Sequence, residues 1–266
     1  AMYPRSRRAS FLVATLFGLA WFPLILLAII IGNTVAGTLI LHTAHPTPAQ
    51  LPTFMYATDM TMLVLGVLWC LLGVPATLQV RPRAYGQFLR DIGVLGGSWR
   101  ALVASGGLLL LVLLVATVSP NAIASSFSPA HTDAFSWADL VQPPVVEEML
   151  FRGVVLTVLV RRFPIWFAVL WAAVLFMPPH LNQGPLLMVE DGLIFGITQG
   201  LLRLRTRSIW PGAVAHYLFI TQIGVPILIA YSVVLAALVV EWGVHAARMG
   251  RKQRLPVASP APVEPS

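Results

Sequence analysis

Charge is scarce in this chain. Ten acidic and 17 basic residues stand among 266, so charged residues make up 10% of the sequence, where a soluble domain carries roughly 25%. Too few polar side chains are present to clothe a water-facing surface, which excludes a free-standing soluble enzyme or binding domain. Cysteine is nearly missing as well. Cys70 stands alone in an apolar run, so an intramolecular disulfide is excluded. The strict apolar–polar alternation of a membrane β-barrel strand is absent. No internal repeat is visible, and no linker is long enough to divide the chain into domains.

What remains is apolar. Hydrophobic residues make up 58% of the chain, and the mean hydropathy is +0.82. Long apolar runs of this kind hold their backbone hydrogen bonds inside each segment, as helices do in lipid. The expected fold is all-α: a polytopic transmembrane helix bundle of about eight spans. They fall near 11–41, 58–80, 101–118, 139–160, 165–180, 185–202, 209–222 and 225–247, all but the first close to or below the ~20 residues a bilayer requires. The first is long enough to tilt, or to kink at Pro23 or Gly32. Residues 1–254 read as one transmembrane domain, and 255–266 as a Pro-rich disordered tail.

The basic residues test that topology. Arg5, Arg7 and Arg8 precede the first span; Arg81, Arg83, Arg90 and Arg100 follow the second; Arg161 and Arg162 follow the fourth. Arg203, Arg205 and Arg207 follow the sixth, and Arg248, Arg251, Lys252 and Arg254 the eighth. With eight spans these all lie on one side, while the opposite loops, about 42–57, 119–138 and 181–184, hold no Lys or Arg. The positive-inside rule then puts both termini in the cytoplasm. The formal charge of +7 is thus a topology and lipid-headgroup signal, not a nucleic-acid footprint. All the basic residues but Lys252 are arginine, which fits a GC-rich bacterial genome and the bacterial cytoplasmic membrane.

One arginine falls inside a span. Arg152 sits in the fourth with two adjacent acids, in Val145-Val146-Glu147-Glu148-Met149-Leu150-Phe151-Arg152-Gly153. An ionised side chain at the helix centre costs about 2.5–3.5 kcal/mol even on lenient insertion scales, so an intramembrane ionisable cluster is a functional-site hypothesis by default. Glu148 and Arg152 are four residues apart, share a helix face and can pair. Glu147 is rotated about 100° from Glu148, which leaves it free to act as a general base on water. The bland alternative is a buried polar cluster that only fixes helix packing.

Two histidines occupy later spans. His180 ends the fifth in Phe176-Met177-Pro178-Pro179-His180, and His216 lies in the seventh in Gly212-Ala213-Val214-Ala215-His216-Tyr217. Carboxylates and imidazoles from three helices suit two chemistries. Glu147, His180 and His216 can hold one divalent metal such as zinc with an open water position. Without metal, a glutamate base can work beside histidines that stabilise an oxyanion. Glu190 and Asp191, in the sixth span, are candidates for a cavity wall or an interfacial pair. Glu241, in the eighth, is expected to snorkel or to pair with Arg248.

The runs E-E-M-L-F-R-G at 147–153, F-M-P-P-H at 176–180 and H-Y-L-F-I at 216–220 resemble the three motifs of the CPBP family. These are the CAAX proteases and bacteriocin-processing enzymes, also called the Abi family. The resemblance covers about 139–222. It implies an intramembrane endopeptidase acting on a peptide or membrane-associated protein. Glu147 would activate water, Glu148 and Arg152 would support it, His180 and His216 would complete the site, and Phe176 would pack beneath His180. The chain departs from the family pattern at Ile220, where many members carry Asn, and at Pro178 and Pro179 before the histidine. Family members are also linked to bacteriocin self-protection, so a non-catalytic immunity or partner-binding protein is the competing class.

Overall fold

The computed structural model describes residues 3–43, 46–118, 141–178, 188–221 and 232–241. All regular structure among them is helical. Two helices are long and apolar enough to cross a membrane: α1 (Arg7–Ile40) and α2 (Pro48–Thr77). A short α3 (Tyr85–Asp91) follows, then α4 (Trp99–Val118). The helix α5, 143–160, joins a wide segment Pro143–Val155 to Leu156–Val160. After it come α6 (Ile165–Phe176), α7 (188–206, built from Met188–Phe195 and Gly196–Thr206), α8 (Trp210–Thr221) and α9 (Ser232–Glu241).

Three boundaries differ from the sequence reading. The second helix begins at Pro48, not near 58. Thr47 and Gln50 form a reciprocal capping box, and Pro48 stands in the first turn where its missing N–H costs nothing. Much of the expected 42–57 loop is therefore helix. The α6 helix ends at Phe176, where Pro178 and Pro179 cannot continue it. In α1 the break falls at Ala20, just ahead of Pro23, whose ring crowds the carbonyl four residues back. Gly32 marks close packing instead of a kink: a Cβ there would meet the Thr58 Cα at 2.5 Å.

The exterior is apolar. Leu26, Ile30, Leu102, Val103 and Trp166 are each more than half exposed. In water such a surface would aggregate; against lipid tails it is ordinary. The interior is organised around α5, which packs against α1, α2, α6, α7 and α8. Every residue from Val146 to Leu159 is buried. A charged residue placed on this helix therefore meets protein on all sides.

A polar knot closes one end of the bundle. The Asp91 carboxylate receives the Tyr3 hydroxyl at 3.1 Å, the Gln87 amide at 2.7 Å and the Arg161 guanidinium at 2.6 Å. Its backbone carbonyl accepts from Thr157 Oγ1 at 3.1 Å and from Arg203 Nη2. Burial first, and then the Asp91 carboxylate, push the Tyr3 phenol above its ordinary range. Gly93 follows at φ +82°, and a Cβ there would lie 2.6 Å from Arg203 Nε, so both conformation and space favour glycine. The Gly93 carbonyl accepts the Ile209 N–H at 3.2 Å, and the Val94 carbonyl accepts the Trp210 indole at 2.9 Å. The loop after α3 thereby holds the ends of α5, α7 and α8 together.

Glu241 pairs with Arg205, at 2.7 Å; Arg248, the partner expected for it, lies outside the described residues. The α9 helix runs beside the end of α7. Both side chains are nearly half exposed, so the pair adds little stability.

Candidate active site

The first half of α5 is not an ordinary α-helix. Across Pro143–Val155 the backbone bonds five residues back, and the Leu156 N–H still reaches the Phe151 carbonyl. Wide turns of this kind are uncommon and concentrate at functional sites. Pro143 and Pro144 open the segment directly after the helical residues 141 and 142, and they supply no N–H to the ladder there. Glu147, Glu148 and Arg152 all lie within it.

Glu148 and Arg152 form an ion pair at 3.1 Å, with side-chain exposures of 0% and 2%. The pairing expected from their spacing is what the geometry shows. The Arg152 guanidinium also lies 4.0 Å above the Phe176 ring and 5.5 Å from the centre of the Phe195 ring. Phe176 is fixed edge-on by Phe151, 5.2 Å between centroids. A desolvated guanidinium is well served by such faces, because the ring quadrupole attracts the cation.

The α8 helix brings in His216, which is 4% exposed. Its Nδ1 lies 3.3 Å from Glu148 Oε1 and its Nε2 3.8 Å from Glu147 Oε2. The imidazole thus stands between the two carboxylates. A proton on Nδ1 faces Glu148, whose charge Arg152 balances, and Nε2 is then left toward Glu147. Phe195 meets His216 edge-on at 4.8 Å, and Phe176 does so at 6.1 Å.

Three residues escaped the sequence reading. Phe195 touches both Arg152 and His216. Gln199 is fully buried near the same carboxylate. Gly212 lets the α8 backbone approach: a Cβ there would stand 2.7 Å from Glu148 Oε2 and 2.9 Å from Gln199 Oε1. Gly212→Ala is therefore expected to push the Glu148 carboxylate aside, and in any reaction that uses this carboxylate a displacement near 1 Å costs roughly 100-fold. Steady-state kinetics of the purified variant test this, and wild-type turnover would show that the contact carries no weight.

One signal for the neighbourhood was readable. Gly192, Gly196 and Gly200 recur every four residues. A Cβ at these positions would meet Met177, Ala173 and Val169 of the α6 side respectively. This small-residue stripe draws α7 against α6 by close backbone approach, the main route to helix association in lipid.

Of the expected site residues, Glu147, Glu148, Arg152, Phe176 and His216 lie together, on α5, α6 and α8. Phe176 packs on Arg152. His180 lies outside the described residues, as do the side chains of Glu190 and Asp191, whose backbone belongs to the wide first part of α7. For a metal, Glu147 and His216 supply two donors, while catalytic zinc takes three from the protein. Among the described residues no group of three or more His, Cys, Asp or Glu side chains is arranged to hold an ion. His180, the third donor expected for a metal, is not among those residues.

Comparison with known proteins bears on this segment. Residues 130–221 match the family model described as "Rce1-like: Type II CAAX prenyl endopeptidase Rce1-like". No curated protein and no solved structure was found to match the chain. The matched segment is less than half of the chain, yet it contains all the residues of the buried cluster, from Glu147 to His216. The resemblance read from the three motifs therefore holds for the part of the chain that builds this cluster: residues 130–221 are similar to the Rce1-like, type II CAAX prenyl endopeptidase family.

Proposed function

We propose that the protein is an intramembrane endopeptidase whose water is activated by Glu147. The observation that carries this reading is the buried set of Glu147, Glu148, Arg152 and His216 on facing helices within the matched segment. Only Glu148 is committed to Arg152, so the two carboxylates have different work. Glu147 takes a proton from water, the water oxygen attacks the scissile carbonyl, and Glu147 returns the proton to the departing amine. The 3.8 Å between His216 Nε2 and Glu147 is longer than a direct hydrogen bond. Both groups can therefore turn to a water or to the substrate carbonyl between them. His216, once Nε2 as well as Nδ1 carries a proton, and His180 by the family resemblance would steady the developing oxyanion.

The substrate class is a peptide or membrane-associated protein. The test is hydrolysis of internally quenched peptides, prenylated and unprenylated, by purified protein in detergent, with Glu147→Gln as control. Cleavage equal in the two proteins would overturn the assignment.

The reading extends to orientation: a single eight-span domain in a bacterial cytoplasmic membrane, both termini inside. In that arrangement Glu147 lies nearer the outer end of its span, and the 181–184 turn faces outward. On a Cys70→Ser background, a single cysteine at Asn182 should react with an impermeant thiol reagent in intact cells. Labelling confined to inside-out vesicles would reverse the orientation.

A further inference from the structure

Phe195 has a place in the cluster that its apolar side chain does not announce. It is the last residue of the wide first part of α7, Met188–Phe195, and is 2% exposed. Its ring centre lies 5.5 Å from the Arg152 guanidinium, inside the ~6 Å reach of a cation–π contact. The same ring meets the His216 imidazole at 4.8 Å, with the planes inclined at 67°. It also stands 6.1 Å from Phe176, tilted by 31°. Phe195 therefore touches the cation on α5 and the imidazole on α8 at once.

The backbone holds it there. Immediately after Phe195, Gly196 would carry any Cβ to within 2.9 Å of the Ala173 Cβ. Helix α7 is thereby pinned to α6, the helix that carries Phe176. The ring cannot retreat along this contact without separating the two helices. Phe176 and Phe195 form two walls of an aromatic slot for Arg152, and only Phe195 extends that slot to the histidine by close contact.

We infer that Phe195 is a positioning residue of the proposed peptidase site: its ring sets the placement of Arg152 relative to His216, and through them that of Glu148. This rests on the endopeptidase reading. A ring that merely filled space would be replaceable by any apolar group of similar volume. A ring that acts through its quadrupole is sensitive to electron withdrawal at constant shape.

The experiment replaces Phe195 with 4-fluorophenylalanine, pentafluorophenylalanine and, by Phe195→Leu, an aliphatic side chain. Cleavage of the internally quenched peptide is followed for each purified protein. The expected result is a graded fall in kcat, reaching roughly tenfold or more for pentafluorophenylalanine and Phe195→Leu, with KM unchanged. A flat kcat across the fluorinated pair, or a change confined to KM, overturns the inference. A second measurement does not depend on cleavage. The Tm values of Phe195→Leu, Arg152→Lys and the double variant form a cycle in which contacting residues fail to add. Additive Tm losses overturn the inference even where every variant is active. Absence of Glu147-dependent cleavage in the wild type would instead remove the peptidase reading, and the cycle would still decide whether Phe195 holds Arg152.

Discussion

Glu147→Gln is expected to give a folded protein with no measurable peptide cleavage. The substitution keeps the shape of the side chain and its neighbourhood with His216, so expression and the detergent Tm should stay close to wild type. In the proposed mechanism it removes the basic oxygen that accepts the proton of water. A positioned general base contributes typically about 10²–10⁴-fold, enough to take a slow intramembrane hydrolysis below detection. Glu148 cannot substitute. Its carboxylate is paired with Arg152 at 3.1 Å and fully buried. A Glu147→Gln protein that still cleaves at the wild-type rate would move the base elsewhere and dissolve the assignment of roles within the cluster.

Arg152→Ala should produce the largest loss of stability of any single change in α5. It strands the Glu148 charge at 0% exposure, and removing one partner of a buried pair costs about 3–5 kcal/mol. It also removes the cation from two aromatic faces. Glu148→Ala removes the Glu148 partner of Arg152 and should lower the Tm as well. The combination Glu148→Gln with Arg152→Met leaves no buried charge from this pair and should recover much of the Tm while remaining inactive. Thermal unfolding in detergent compares the three. An Arg152→Ala protein with the wild-type Tm would mean that Glu148 finds water or another partner, and that the cluster is less enclosed than its geometry states.

The helical class, the apolar exterior and the Glu148–Arg152 pair were legible in the sequence, because each follows from composition or from a local spacing. The approach of His216 to the glutamates was legible only as a hypothesis, since helix packing decides it. The wide turns were not legible. Ordinary α-helical geometry separates Glu147 and Glu148 by about 100°, yet both carboxylates lie within 3.8 Å of His216. Phe195, Gln199 and Gly212 were invisible for a different reason. An aromatic, an amide and a glycine in apolar helices carry no cost that marks them, whereas a charge does. The start of α2 does not show in hydropathy, but Thr47, Pro48 and Gln50 together spell it.

The knot at Asp91 has a consequence for the order in which the molecule can be completed. Its carboxylate is satisfied in part by Gln87, four residues away, and its backbone carbonyl in part by Thr157, but the second donor to that carbonyl, Arg203, and the donor to the Gly93 carbonyl, Ile209, lie more than 110 residues downstream. A ribosome making about 5–20 residues per second delivers those two donors many seconds after the loop itself has emerged. Until then the loop after α3 has no α7 or α8 to hold, and Glu148 has no His216. Closure of the knot and completion of the buried cluster are therefore late, coincident events in biogenesis, and a chain halted before residue 203 would carry the glutamates and Arg152 without the surroundings that make them a site.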